Sequence, residues 1–257
     1  MEKIPDRLQK TIIILLILFG FISSGYIGYY LGGNGGPGYL VDKLCSPCRE
    51  KKDYVTKSLS SAYIYGPEMN KAKVFLYAKD QTTSTVENIY CGAPQQEAVT
   101  YSGHYQLILD SSTAASDNPG GYSDLNWQDS LLDLGSWSFV ERTAWDGQLE
   151  VEQFDPSGYK NFLVLYGYGS CNTMFATVFG YDFAEGKLVN YKFLKKDGKI
   201  EDGVAVSQGQ RPLKKSAEGN LLSRLYNQST GKFNYTEWKF DPKTNTFKEL
   251  KSWTTSE

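Results

Sequence analysis

The chemistry available to this chain rests on four cysteines and one histidine. Cys45-Ser-Pro-Cys48 has the spacing of a dithiol pair and opens a stretch, Cys48 to Ser61, whose composition predicts a helix. A helix N-terminus stabilises a thiolate, which is what a thiol–disulfide exchange site needs. Redox pairs of this spacing usually follow a strand in a βαβ unit, whereas a glycine-rich tract precedes this one, so the spacing favours a local structural bridge. The simplest partner assignment for the other two is a Cys91–Cys171 disulfide, which suits an oxidising compartment. Arg49 stands where haem attachment would require histidine, and Cys91 and Cys171 lie too far apart for the paired spacing of a four-cysteine zinc site.

His104 is the only histidine, which removes multi-histidine metal sites and leaves a single imidazole base. A Cys171–His104 dyad oriented by Asp110 can be drawn, but Gly169-Ser170-Cys171 is no nucleophile elbow. Glu141, Glu150 and Glu152 could pair as glycosidase carboxylates, yet the alternation of Glu150 and Glu152 is that of a strand's solvent face. The acidic tract Asp117–Asp129 lacks the calcium-loop pattern. The expectation is therefore no catalytic set, no metal site and no cofactor.

Aromatic residues offer binding chemistry instead. Nineteen tyrosines and five tryptophans can fill a β core or supply a stacking surface for a sugar or peptide. Trp127, Trp137 and Trp145 cluster in sequence and are the ligand-contact candidates. Trp137 and Trp145 are expected to fill the core, while Trp127, among Asn126, Gln128 and Asp129, is expected to be exposed. Asn227-Gln-Ser229 and Asn234-Tyr-Thr236 fit the glycosylation pattern, which matters only in a host that glycosylates.

The elements that would carry these residues begin with Thr11–Leu31, an uncharged apolar run. A hydrocarbon core of about 30 Å needs about twenty such residues, and only a helix satisfies its own backbone there. Lys3, Arg7 and Lys10 precede the run, and Tyr26, Tyr29 and Tyr30 sit at its far end. The positive-inside rule then predicts residues 1–10 as a cytoplasmic tail, 11–31 as a single transmembrane helix and the remainder as extracytoplasmic. A signal peptide cut near Ser23-Ser-Gly25 is the rival, disfavoured because apolar character continues to Leu31. Residues 32–40 form a glycine-rich linker. The formal charge of −2, with +1 in the first ten residues, leaves about −3 beyond the span and no basic tract, which excludes nucleic acid as a partner.

Residues 41–257 read as one mainly β domain of antiparallel meanders. Runs such as Lys73–Tyr77, Tyr105–Leu109, Trp137–Val140 and Asn161–Tyr166 are strand-like, and Asp146-Gly, Glu185-Gly, Asp197-Gly and Asp241–Asn245 are turns. Ser111–Leu134 is polar and predicts a long loop with a helical turn at Trp127–Leu132. Residues 161–196 and 220–253 align without a gap and suggest two related copies of one meander. Three functional classes fit. The first is a membrane-anchored, non-catalytic β domain for binding or assembly with a protein or cell-envelope polymer. The second is a tethered thiol–disulfide protein using Cys45 and Cys48. The third is an exported hydrolase without a recognisable motif.

Overall fold

A computed structural model of the chain describes residues 53–66, 70–87, 97–116, 127–140, 147–154, 162–170, 173–207 and 212–256. The expected cytoplasmic tail, membrane span and linker lie outside these residues, as do Trp145 and all four cysteines. Among the described residues no helix is long and apolar enough to cross a membrane.

The fold is mainly β, with curled sheets. Residues 53–57 are helical, and the expected helix to Ser61 stops there because the chain is already strand at Ser60. Leu59 donates its amide to the carbonyl of Leu76, 2.8 Å away, which draws this segment into a sheet. That first sheet contains β1 (Ser60–Tyr65), β2 (Asn70–Ala78), β3 (Thr82–Glu87), β4 (Glu97–Ser116) and β5 (Ser130–Val140), all antiparallel neighbours. β2 and β3 pair end to end along one edge of the long β4, and β5 pairs along the other. β2 gives way to β3 at residues 79–81. There Asp80 Oδ1 accepts the His104 amide at 2.9 Å, and Tyr105 donates its hydroxyl to Gln81. Opposite that point the β4–β5 register shifts at Tyr105/Gln106, and Gly135 takes φ +77°, the left-handed conformation that a bulge of this kind uses.

Two expectations are corrected here. The expected loop Ser111–Leu134 is strand at both ends, since β4 runs to Ser116 and β5 starts at Ser130; the stretch 117–126 lies outside the described residues. The helical turn at Trp127–Leu132 is replaced at its end by β5 itself. Composition misleads because the polar side chains serve the strand. Asp110 is buried and accepts the amide (3.0 Å) and hydroxyl (2.6 Å) of Ser112, while Thr113 Oγ accepts the Lys73 amide at 2.7 Å. These bonds hold a register shift between β2 and β4 instead of ending the pairing.

The second sheet has ten strands: β6 (Leu149–Glu152), β7 (Phe162–Ser170), β8 (Thr173–Asp182), β9 (Lys187–Leu194), β10 (Ile200–Glu201), β11 (Val204–Ser207), β12 (Leu213–Lys215), β13 (Leu221–Asn227), β14 (Lys232–Asp241) and β15 (Thr246–Thr255). Its main path runs β12-β13-β14-β15-β9-β8-β7-β6, with β15 and β9 parallel.

Strands β7 to β9 form a middle layer buried on both faces. Leu163, Leu165, Phe179, Tyr181 and Leu188 face a core shared with Val74, Leu76, Leu107 and Leu109 of the first sheet. Phe162, Val164, Tyr166, Tyr191 and Phe193 face a second core with Leu221, Trp238, Phe240 and Phe247. This explains the unbroken apolar run Phe162–Tyr166: side chains of alternating parity enter two different cores. Within this layer the Tyr191 ring of β9 lies across Gly180 of the neighbouring β8, and a Cβ at Gly180 would meet the Tyr191 ring and hydroxyl.

The strand starts of the two C-terminal meanders are separated by a constant 59 residues: Phe162 and Leu221, Thr173 and Lys232, Lys187 and Thr246. The same separation relates Gly186 (φ +64°) to Asn245 (φ +52°), the left-handed turn residues of each β8–β9 or β14–β15 hairpin. Asn245 donates its side-chain amide to Asp182 across the two turns at 2.9 Å. The second meander is turned over relative to the first. Phe179 and Tyr181 face the first core, whereas Trp238 and Phe240, which stand 59 residues on, face the second.

Candidate binding surface

The residues singled out from sequence do not converge. Trp127 is 7 % exposed, packed at 4.8 Å on Tyr181 and 5.1 Å on Phe183, which corrects the expectation that it is exposed. Its polar neighbours misled: Gln128 donates its backbone N–H to the Tyr181 hydroxyl at 2.9 Å, and this segment lays the indole against Tyr181. Trp137 is half-buried, packs against the same core, stacks on Phe139 at 5.5 Å and donates its indole N–H to the Leu134 carbonyl at 2.9 Å.

His104 lies on the outside of β4 with its Nε2 2.7 Å from Asp133. Asp110, drawn above as its orienter, is instead committed to Ser112 and to the Tyr54 hydroxyl at 3.3 Å. Burial, reinforced by the Asp110 charge, pushes the Tyr54 phenol up to about 12. Among the described residues no group of three or more His, Cys, Asp or Glu side chains could hold a metal ion.

The surface with usable chemistry is the outer face of β13, β14 and β15. In an antiparallel sheet, residues directly opposite one another share a face. Tyr226 lies opposite Phe233, and Phe233 opposite Thr255; Arg224 lies opposite Tyr235, and Tyr235 opposite Trp253; Leu222 lies opposite Glu237, and Glu237 opposite Lys251. Beyond a bulge at Glu237/Trp238, Lys239 lies opposite Lys248. The rings form a continuous chain: Tyr226 to Phe233 at 5.0 Å, Phe233 to Tyr235 at 6.5 Å, Tyr235 to Trp253 at 5.5 Å. The Arg224 guanidinium sits 4.7 Å from the Phe233 ring centre, and Lys251 Nζ 5.5 Å from that of Trp253. Trp253 is 39 % exposed, and the other three rings are half-buried.

The middle of this face is pinned by Glu237, which is 2 % exposed. Its Oε1 accepts the Ser216 hydroxyl at 2.6 Å and the Asn220 amide at 2.9 Å, and its Oε2 meets Lys251 at 2.8 Å. Burial alone would raise this carboxyl, but Lys251, Ser216 and Asn220 outweigh it and hold it down at about 2.

The opposite face of the same strands is a groove of about 700 Å³. Trp238, Phe175 and Ile200 give it apolar walls, and Asn234, Thr236 and Glu201 line it as well. Ser223 closes its floor by accepting the Trp238 indole N–H at 2.9 Å.

Sequence reasoning passed over the outer-face rings because it looked for tryptophans near a loop. The signal was present in Phe233-Asn-Tyr-Thr236 and Trp253: aromatic residues on the face of a strand that a β core would leave polar. Comparison of the chain with family models, with curated proteins and with solved structures finds no match.

Proposed function

We propose that this chain is a single-pass membrane-anchored protein, N-terminus in the cytoplasm, which presents a non-catalytic extracytoplasmic β domain for binding a protein or a cell-envelope polymer. The supporting observation is the open aromatic and cationic face of β13–β15. Large rings on a sheet's solvent side expose apolar area that folding alone would tend to hide, and such patches mark interaction surfaces. The uncharged run Thr11–Leu31, the basic residues before it and the glycine linker after it support the tether. A tether of this kind raises the effective concentration of the domain near the membrane, which favours weak, repeated contacts with a surface polymer. The constant 59-residue offset supports a duplicated meander whose second copy supplies this face.

The test is topological. The mature protein is expected to keep its own N-terminus, and protease added from outside is expected to digest the β domain while leaving the first residues protected. A mature chain starting near Tyr26, or a β domain protected in intact cells, would refute the anchored arrangement.

A further inference from the structure

We propose that the outer face of β13–β15 binds an acid-bearing polysaccharide, its sugar units lying against Phe233, Tyr235 and Trp253 and its acidic groups meeting Arg224, Lys239 and Lys248. This rests on the reading of the domain as a presented binding module and names the class of its ligand.

Charge carries the assignment. The face holds four cations, Arg224, Lys239, Lys248 and Lys251, against two acids, Glu237 and Asp241, in a chain whose overall charge is negative. Glu237 engages Lys251, and Asp241 engages Lys248 at 2.6 Å. Among the described residues no carboxylate bonds Lys239, which stands directly opposite Lys248. Asp241 offsets the like charge of Lys248, which leaves Lys239 as the cation of this row that no carboxylate of the described residues meets. An anionic ligand would supply that counter-charge.

Geometry then selects among anionic occupants. Arg224 lies directly opposite Tyr235, and Lys251 two residues from Trp253, while Lys239 and Lys248 lie four and five residues along β14 and β15 from Tyr235 and Trp253, so rings and charges form a strip rather than a single pocket. A chain polymer fits a strip. A second copy of this domain would place the same cations against one another. An anionic membrane favours side chains that sink about 5–10 Å into the headgroup boundary, whereas Phe233, Tyr235 and Tyr226 are half-buried in the sheet and do not protrude.

The experiment uses the full chain in nanodiscs of neutral phosphatidylcholine, titrated with polygalacturonate and, separately, with the neutral glucan amylose, with binding followed by calorimetry. Saturable binding of polygalacturonate is expected, weakened by added salt and at least tenfold tighter than any binding of amylose. Lys239→Gln combined with Arg224→Gln is expected to weaken it about tenfold or more. Trp253→Ala should do the same, and Trp253→Phe should restore most of it, which separates stacking from a folding defect. Leu131→Ser, on the exposed side of β5, should leave it unchanged. Four results would each overturn the proposal: no polygalacturonate binding, equal binding of amylose, binding indifferent to these substitutions, or binding only to phosphatidylglycerol vesicles. A negative result alongside an externally accessible β domain would remove the ligand class and leave the anchored binding module standing.

Discussion

Phe162→Ala is expected to lower the unfolding free energy by about 3–5 kcal/mol, the range for deleting a fully buried aromatic side chain. Phe162 has no exposed surface, and four rings surround it: Tyr191 at 5.6 Å, Phe240 at 5.1 Å, Phe247 at 5.3 Å and Phe154 at 6.0 Å. The Tyr191 and Phe240 contacts are edge-on, the geometry in which aromatic pairs add about 0.5–1.5 kcal/mol each beyond area burial. These neighbours come from β9, β14 and β15, so the one side chain joins the first C-terminal meander to the second. The walls are held by strand pairing on both sides and cannot collapse into the space, which places the cost toward the upper end of the range. Phe162→Leu keeps most of the volume and should cost less than half as much. Urea unfolding followed by tryptophan fluorescence reads both variants. Trp253→Ala, at a 39 % exposed position, is the comparison and should cost about 1 kcal/mol or less. A Phe162→Ala loss no larger than that of Trp253→Ala would mean the two layers are not packed as described.

The parts of the fold that were legible in the sequence are those where local pattern and tertiary role agree. Asn161–Tyr166, Lys73–Tyr77 and Tyr105–Leu109 are apolar enough to be strands in any β context, and Glu185-Gly186 and Asp241–Asn245 turn the chain by local chemistry alone. Asp182 Oδ1 accepts the amides of Ala184 and Glu185, and Asp241 Oδ1 that of Lys243, so each hairpin carries its own turn signal. The failures lie where long-range pairing overrides composition. Ser111–Ser116 is polar, yet it is strand because β2 returns alongside it and Asp110 absorbs the register shift. Trp127 reads as a polar-loop residue, and Tyr181, more than fifty positions later, makes it core. The aromatic face of β13–β15 was hidden for a related reason. Arg224, Tyr235 and Trp253 are dispersed in sequence, and only the β13–β14–β15 register sets them in one row.

That face also carries a dependence on pH. Glu237 ionises well below the ordinary glutamate value of 4.5, at about 2, because three partners favour its charged form more than burial opposes it. A carboxyl with a depressed folded-state pKa contributes stability that is complete above its unfolded value and fades as pH falls through the folded one. The window is therefore from about 4.5 down to about 2. Glu237→Gln keeps the shape and an acceptor for Ser216 and Asn220 but removes the charge that Lys251 meets. Hydrogen bonds to a charged group contribute about 1.5–3 kcal/mol, and part of that remains with the neutral amide, so a loss of about 1–2 kcal/mol is expected at pH 7. Glu237→Ala strands the Asn220 amide and the Ser216 hydroxyl as well, and about 3 kcal/mol is expected. The discriminating measurement is the stability difference between the native chain and Glu237→Gln as a function of pH. Asp241, held at about 2 by Lys248 and the Lys243 amide, titrates in both proteins and cancels. As the native carboxyl takes up its proton it comes to resemble the amide, so the difference should shrink below pH 4.5 and approach zero near pH 2. A difference that stays constant across that range would show that the charge of Glu237 does not stabilise the fold, and that its packing between the β12–β13 turn and β15 accounts for the whole effect of the substitution.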